Sequence, residues 1–529
     1  MICVVGSGPA GVACAAALLA RGRAVTLLDA GVRLEEDRAE VVRRLARTEH
    51  RDWNPDEIDA LCGGSAPRLG RVSLKLAFGS DYAYREVQRL TPFVNEGSAT
   101  QPTMARGGFS AVWGAAVMPY RSKEIADWPI TIESLAPHYE AVGSMIRLAG
   151  RTDDLAELYP LYVRRQRPMP TSRQAAALLR DMQARREELG RSGYRFGVSR
   201  LAALARDDSD ATGCSTCGRC LTGCPYGYIY DAAHTLDELR RNPRFTYRPG
   251  VAVDRVKERD RQVTISGRTI ETAERLRVDA SRVLLACGVL QTTRILLASM
   301  EAYDRELPLS DSQYFLLPWL RHRSAGRADR EALHTLAQIF IELDDEAVSE
   351  RNVHLQVYSY SEVLRRTVEE KAGPLARLVR PLARPLVDRL LIIQGYLHSG
   401  ESPGMRVRLA RASEDGAERL TIRANPDRRC DEIIRRLISS LRRHRRAFRA
   451  TPLAPLLRIT PPGRGFHSGG TFPMRTEPSS FESDLQGRPF GFRRVHAVDS
   501  TILPSIPATT ITFSVMANAH RIGSAIEEA

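Results

Sequence analysis

The first thirty residues constrain the fold most. Val4 and Val5 end a short apolar strand that runs straight into Gly6-Ser7-Gly8-Pro9-Ala10-Gly11. An alanine-rich helix follows to about Ala20, and Ala24 to Leu28 form a second apolar strand ending at Asp29. This is a βαβ unit opening a parallel sheet, with Gly-x-Gly-x-x-Gly at the strand-to-helix turn. The glycines have separate duties: Gly6 permits the turn, Gly8 admits a pyrophosphate to the backbone, and Gly11 lets helix and strand pack closely. The helix start offers free N–H groups and a positive dipole end to phosphate. Asp29, at the second strand's end, is placed to bond a ribose hydroxyl. Alone the glycine pattern is weak; with strand, helix, second strand and terminal acid it reads as a dinucleotide site.

Further along, residues 35 to 100 are polar and broken by Gly-Gly and Asn-Pro, and read as irregular. Residues 205 to 232 form a Cys- and Gly-rich insertion. Val251 to Val256 and Ser281 to Ala286 read as strands. His334 to Leu343, Val353 to Tyr360, Leu391 to His398 and Met405 to Leu409 read as strands of an antiparallel sheet with a substrate face. Residues 430 to 450 read as an Arg-rich helix. The expected architecture is α/β: a Rossmann-like cofactor domain with a parallel sheet, built from residues 1–299 and 461–529, and an α+β substrate domain with an antiparallel sheet at 300–460.

A formal charge of +14 is spread along the chain rather than gathered on one motif, which argues against a nucleic-acid partner. It fits a solvated basic surface, or attraction to an acidic substrate or an anionic membrane. Residues 373 to 381, apolar and basic, could rest on a membrane surface; a packed helix with snorkelling arginines is the favoured reading. Neither a secretory leader nor an apolar run long enough to span a bilayer is evident, so a cytoplasmic location is expected. The nine cysteines are then thiols or metal ligands rather than disulfides. Four of them, Cys214, Cys217, Cys220 and Cys224, have the C-x2-C-x2-C-x3-C-P spacing of a ferredoxin ligand run. An iron–sulfur cluster, a zinc site and unliganded structural thiols all remain open there.

Several later segments resemble, in order, the glucose-methanol-choline (GMC) oxidoreductases, closest in character to the sugar- and gluconate-oxidising and pyranose oxidase-like branches. Arg106 to Gly114 is similar to the loop that passes near the flavin, with Gly108 and Ser110 at contact positions. Asp127-Trp128-Pro129-Ile130, with Leu135 and Tyr139, is similar to a helix entry of those branches. Val253 matches a backbone contact to adenine. Leu285 to Gly288 and Arg294 to Leu297 are similar to the segment before the substrate domain. The strongest matches are His467-Ser468-Gly469-Gly470-Thr471, like the catalytic His segment, and Val498-Asp499-Ser500-Thr501, like a second cofactor loop. The final helix matches too, and residues 300 to 460 match only in general character.

The resemblance implies FAD and oxidation of an alcohol or sugar CH–OH group, with His467 as base and hydride passing to flavin N5. It leaves oxygen, a quinone or a protein as electron acceptor. Two departures stand out. Thr510 falls where the family usually has a second His or Asn; it can hydrogen bond but is no base. Val112 falls where some sugar oxidases bind FAD covalently through His, so FAD is expected to be non-covalent. Some flavin glucose dehydrogenases carry a three-iron cluster on cysteines spaced like Cys214, Cys220 and Cys224, which keeps that cofactor in view. Thr510 also keeps alive a non-oxidative, isomerase-like or lost activity, and a non-catalytic flavoprotein is the reading from outside enzymology.

Overall fold

The computed structural model describes residues 1–62, 68–69, 72–163, 166–207, 212–326, 328, 331–359, 385–411, 418–425 and 427–527. The apolar and basic stretch at 373–381 lies outside them.

Ile2–Val5 is fully flanked: it pairs in parallel with Val25–Leu28 on one side and Arg282–Leu285 on the other. Phe245–Arg248 and Val495–Ala497 complete a five-stranded parallel sheet. Strands covered on both faces need continuous apolar runs, and Ile-Cys-Val-Val and Val-Thr-Leu-Leu supply them. The helices Pro9–Ala20 and Thr512–Ala525 pack against each other beside this sheet. Gly523 allows that approach, since a Cβ there would lie 2.8 Å from the Cys14 carbonyl oxygen. The two ends of the chain thus share one core. Val251–Arg259 heads a three-stranded antiparallel meander alongside, as the sequence reading of 251–256 expected.

Met405–Arg411, expected in the antiparallel substrate sheet, pairs instead with Glu306–Asp311 and Glu418–Ala424 in a separate sheet, since alternation marks a strand but not its partner. The expected sheet itself is present with the other three stretches. Tyr314–Arg321, Ile339–Leu343, Val353–Tyr358 and Leu390–Leu397 form its centre. Tyr194–Val198, from the first half of the chain, pairs at one edge with Ile339–Leu343. Its two faces differ by strict alternation. Phe315, Leu317, Ile341, Leu355 and Ile393 join a core under helices Arg173–Gln183 and Arg429–Arg443. The latter begins one residue before the expected Arg-rich helix, and its Ile433, Leu437 and Leu441 form a buried stripe. The other face carries Tyr314, Glu342, His354 and Tyr396.

Residues 35–100 are more ordered than their composition suggested. They hold helices Glu36–Ala46, Pro55–Cys62 and Val87–Leu90, whose Leu45, Ile58 and Leu61 make a small buried cluster. Breakers such as Asn54-Pro55 mark a helix start here, because Pro at the first turn loses no bond. Among the described residues, no helix is long and apolar enough to cross a membrane.

Candidate functional site

One crevice collects residues from both ends and the middle of the chain. It is lined by the glycine turn, Asp29, Gly108, Val253, the 286–291 segment, Asp499, and residues flanking His467. Its floor is the Gly6–Gly11 turn. Gly6 has φ +102°, and a Cβ on Gly11 would sit 1.9 Å from the Gly6 carbonyl oxygen. Only glycine fits either position. Pro9 occupies the first helical turn.

Ser7, between the glycines, has a part that spacing did not disclose. Its hydroxyl donates to Asp29 Oδ2 at 2.5 Å and accepts the Gly107 N–H at 2.9 Å. Asp29 also receives the Tyr247 hydroxyl at 3.0 Å and the Ser7 N–H at 3.3 Å. Burial raises the Asp29 carboxyl while these donors oppose it. The glycine turn, the acid and the 106–114 loop are therefore one hydrogen-bonded unit. Gly107 and Gly108 both have positive φ, and a Cβ on Gly108 would approach the Gly8 Cα to 3.0 Å.

Ser110 lies behind this wall. Its hydroxyl donates to the Gly107 carbonyl at 2.6 Å and accepts the Ala232 N–H at 2.8 Å. It braces the loop instead of facing the crevice. Val253 lines the crevice, and its carbonyl accepts Arg294 Nη2 at 2.6 Å. Asp499 is buried and saturated: Gly288 N–H at 2.8 Å, Thr292 hydroxyl at 2.6 Å, and both donors of Thr501. It ties the start of helix Val289–Ser299 to the C-terminal loop.

His467 stands at the other end, between Phe466 and Ser468, which line the crevice. Its ring stacks on Tyr396 with centroids 4.9 Å apart. Phe466 stacks on Phe109 of the flavin-type loop at 5.1 Å. The segment around His467 thus touches both the antiparallel sheet and the 106–114 loop. Among the described residues His467 Nδ1 has no hydrogen-bond partner. Burial, then the nearby His354, pulls the imidazole down to about 4, so it is neutral at pH 7. Asp311 anchors the loop: Oδ2 accepts the Gly463 N–H at 2.7 Å and Oδ1 the Ser468 hydroxyl at 2.6 Å. Sequence reading missed Asp311, which no motif marks.

Thr510 is buried and its hydroxyl accepts the Met118 N–H at 2.7 Å. The neighbouring Ile511 and Thr512 line the crevice, where helix Thr512–Ala525 begins. His496 bonds the Gln486 carbonyl at 2.9 Å and His520 faces His138 at 2.9 Å, both away from His467's contacts.

Cys214, Cys217, Cys220 and Cys224 line one separate cavity of ≈ 20 Å³, about the room of one water. Burial raises the Cys214 thiol to about 12 and Cys220 to about 11. Among the described residues no three His, Cys, Asp or Glu side chains meet in a geometry that holds a metal ion. Lys75 lies near Cys220 and Cys224, and its Nζ donates to the Trp113 carbonyl at 2.5 Å. The cysteine loop and the cofactor loop are linked through it.

Residues 173–302 match the family model described as GMC oxidoreductase. A comparison with curated proteins finds no match. Among solved structures, a pyridoxine 4-oxidase from Mesorbium loti is similar with a TM-score of 0.61 at 17% identity, over 99% of this chain and 98% of that one. At that identity the likeness shows a common fold. The family resemblance read in the sequence and this fold agree.

Proposed function

We propose that this chain, a GMC oxidoreductase by its family segment and its fold, binds FAD non-covalently and oxidises an alcohol or sugar CH–OH group to a carbonyl. The observation that carries the reading is that Phe466 and Ser468, on either side of a neutral imidazole with an unpaired Nδ1, line the same crevice as a glycine turn built for a pyrophosphate. The crevice fits the cofactor by the open space a Cβ on Gly8 would fill, by the helix start at Pro9 and by Asp29. Val112, buried in the cofactor loop, has no atom to bond the flavin.

FAD, when bound, supplies the acceptor for the carbon-bound hydrogen and its electron pair. The remaining work belongs to the side chains. His467 is neutral, so it holds one proton and offers one lone pair. With Nδ1 enclosed, Nε2 is the nitrogen left to take the hydroxyl proton. Tyr396 fixes the plane of the ring by stacking, and Asp311 fixes its loop. Thr510 is a positioning group: its hydroxyl is no base, and it accepts the Met118 N–H while keeping its own O–H to donate. The start of helix Thr512–Ala525 adds a positive dipole end at the crevice, favouring negative charge there by up to about 1 kcal/mol.

The test is anaerobic mixing of the purified protein with a panel of alcohols and sugars, following flavin absorbance. His467→Ala should keep its flavin and bleach about 10²- to 10⁴-fold more slowly. Equal rates would remove His467 from the chemistry, and no bleaching by any donor would favour the isomerase-like or non-catalytic alternatives.

A second reading concerns the cysteine loop. Its spacing supports an iron–sulfur cluster, and the small cavity and the lack, among the described residues, of three side chains placed to hold a metal ion oppose it. Iron after anaerobic purification, lost in Cys220→Ser, would support the cluster; an iron-free wild type would leave structural thiols. No step of the proposed reaction passes through it. The reaction needs no membrane, and a cytoplasmic setting fits free thiols.

A further inference from the structure

One row of side chains crosses the polar face of the antiparallel sheet: Glu342 opposite His354, His354 opposite Tyr396, and Tyr396 opposite Tyr314. Side chains opposite each other on one face lie about 5 Å apart, near enough to fix one another. The next row reads Phe340, Gln356, Gln394 and Leu316, and holds no ionisable group. The acid and the imidazole are thus confined to the row that reaches His467. Both are buried, Glu342 at 1% exposed and His354 at 0%. An apolar pair of similar size would be as stable there or more so, and stability alone gives no reason for them.

The pair makes one ring rigid. His354 Nδ1 lies 2.5 Å from Glu342 Oε1. With the Nδ1 proton donated to Glu342, Nε2 is left as an acceptor, and Gln356 Nε2 donates to it at 3.1 Å. Gln356 Oε1 in turn accepts the Tyr358 hydroxyl at 3.0 Å. Glu342 is fixed by Asn352 Nδ2, which donates to Oε2 at 2.7 Å. Phe340 meets the His354 ring edge-on, with centroids 5.0 Å apart.

That ring bears on Tyr396, with centroids 6.0 Å apart. Tyr314 stacks on Tyr396 at 5.3 Å, and Ala508 packs against both tyrosines. Tyr396 carries His467, stacked at 4.9 Å. Contact therefore passes from Asn352 through Glu342, His354 and Tyr396 to His467.

We propose that His354, braced by Glu342, is a positioning residue of the catalytic centre: it holds the Tyr396 ring on which His467 stacks, and so sets the plane in which His467 meets the substrate hydroxyl. Fully buried, it acts through Tyr396 and not on the substrate itself. Thr510 supplies only a hydroxyl, so the second imidazole of this centre comes from the sheet. This rests on the alcohol-oxidising reading of His467.

The test uses the flavin-loaded protein. His354→Gln keeps a donor for Glu342 but loses the ring. Flavin should stay, and the limiting rate of anaerobic bleaching by an alcohol should fall about 10-fold. The half-saturating donor concentration should stay within about 2-fold. Glu342→Gln keeps the ring but loosens it and should cost about 3-fold; it decides the matter if His354→Gln fails to fold. In a Tyr396→Leu background His354→Gln should add little, because the ring it holds is gone. Packing alone would not move the titration of His467, followed by NMR of carbon-13-labelled histidine and assigned by its loss in His467→Ala. The nearby His354 opposes a positive charge on His467, so without it the midpoint should move up from about 4 toward 6.5. The other titratable groups around the stack stay in place: Tyr314 and Glu342 on the sheet, and Asp311 and Arg464 by the His467 loop. Unchanged bleaching in either variant, a loss additive with Tyr396→Leu, or an unmoved midpoint would overturn the proposal. If no alcohol bleaches the wild type, the oxidation reading fails by itself, and the midpoint still judges His354.

Discussion

The glycine turn and the cysteine loop are both motifs of spacing, and the fold treats them differently. Gly6, Gly8 and Gly11 are built into the parallel sheet: Ser7 binds Asp29 and Gly107, Gly8 abuts Gly108, and Gly11 sits on the Gly6 carbonyl. Each position is over-determined by distant chain. The four cysteines meet only at a cavity of ≈ 20 Å³, joined to the rest by contacts such as the Thr335 N–H on Cys220 at 3.4 Å. A motif whose residues are fixed by backbone close approach declares its job in the folded chain. One whose residues meet only at a small cavity leaves its job to be measured.

Substitutions can sharpen that contrast. The largest effect belongs to Gly11→Val, whose side chain has no room beside the Gly6 carbonyl. It should yield protein without flavin, checked by absorbance per chain, whereas Cys217→Ser should keep full flavin. Equal flavin in both would erase the distinction. Next comes Asp311→Ala, which frees both anchors of the His467 loop. Flavin should stay, and bleaching by an alcohol should slow about 10²-fold, since misplacing a catalytic group by about 1 Å costs that much. In a His467→Ala background the same change should add little, because the positioned group is gone. Smaller still is Cys220→Ser in thermal unfolding. Losing one buried thiol should cost about 1 kcal/mol, near the centre of single-substitution effects; a much larger loss accompanied by loss of iron would show that a cofactor had filled the cavity.

The mildest signature is in pH dependence. A base must be unprotonated, and burial pulls His467 from 6.5 to about 4. The acid limb of kcat/KM for the free enzyme should therefore fall below pH 6.5 and approach 4, with activity lost only as pH drops through that window. A limb at or above 6.5 would place His467 in a more open or anionic setting.

Much of this was legible beforehand. The βαβ unit and the strands at 339–343, 353–358 and 390–397 stand where periodicity put them, because alternation and apolar runs report burial directly, but Tyr314–Arg321 was not read and Met405–Arg411 joined another sheet. Gly8, Asp29, Val253 and Asp499 line the crevice. Ser110 was legible as a neighbour but not as a brace, since a hydroxyl's partners depend on Asp231 and Ala232 far along the chain. Asp311 was invisible for a related reason. Asp311 lies 157 residues from Ser468, and no local pattern marks a carboxylate that will be buried. The helices within 35–100 were read as irregular because their apolar stripe is short and most of their surface is charged.

The central claim is that His467 and the cofactor anchored by the glycine turn meet across one crevice. An experimental structure of the flavin-loaded protein tests it most directly. The account requires the dinucleotide phosphates at Gly6–Gly11 and the His467 imidazole against the flavin ring, close enough for Nε2 to reach a substrate hydroxyl between them. A flavin bound elsewhere, or a ring separated from His467 by intervening protein, would contradict it.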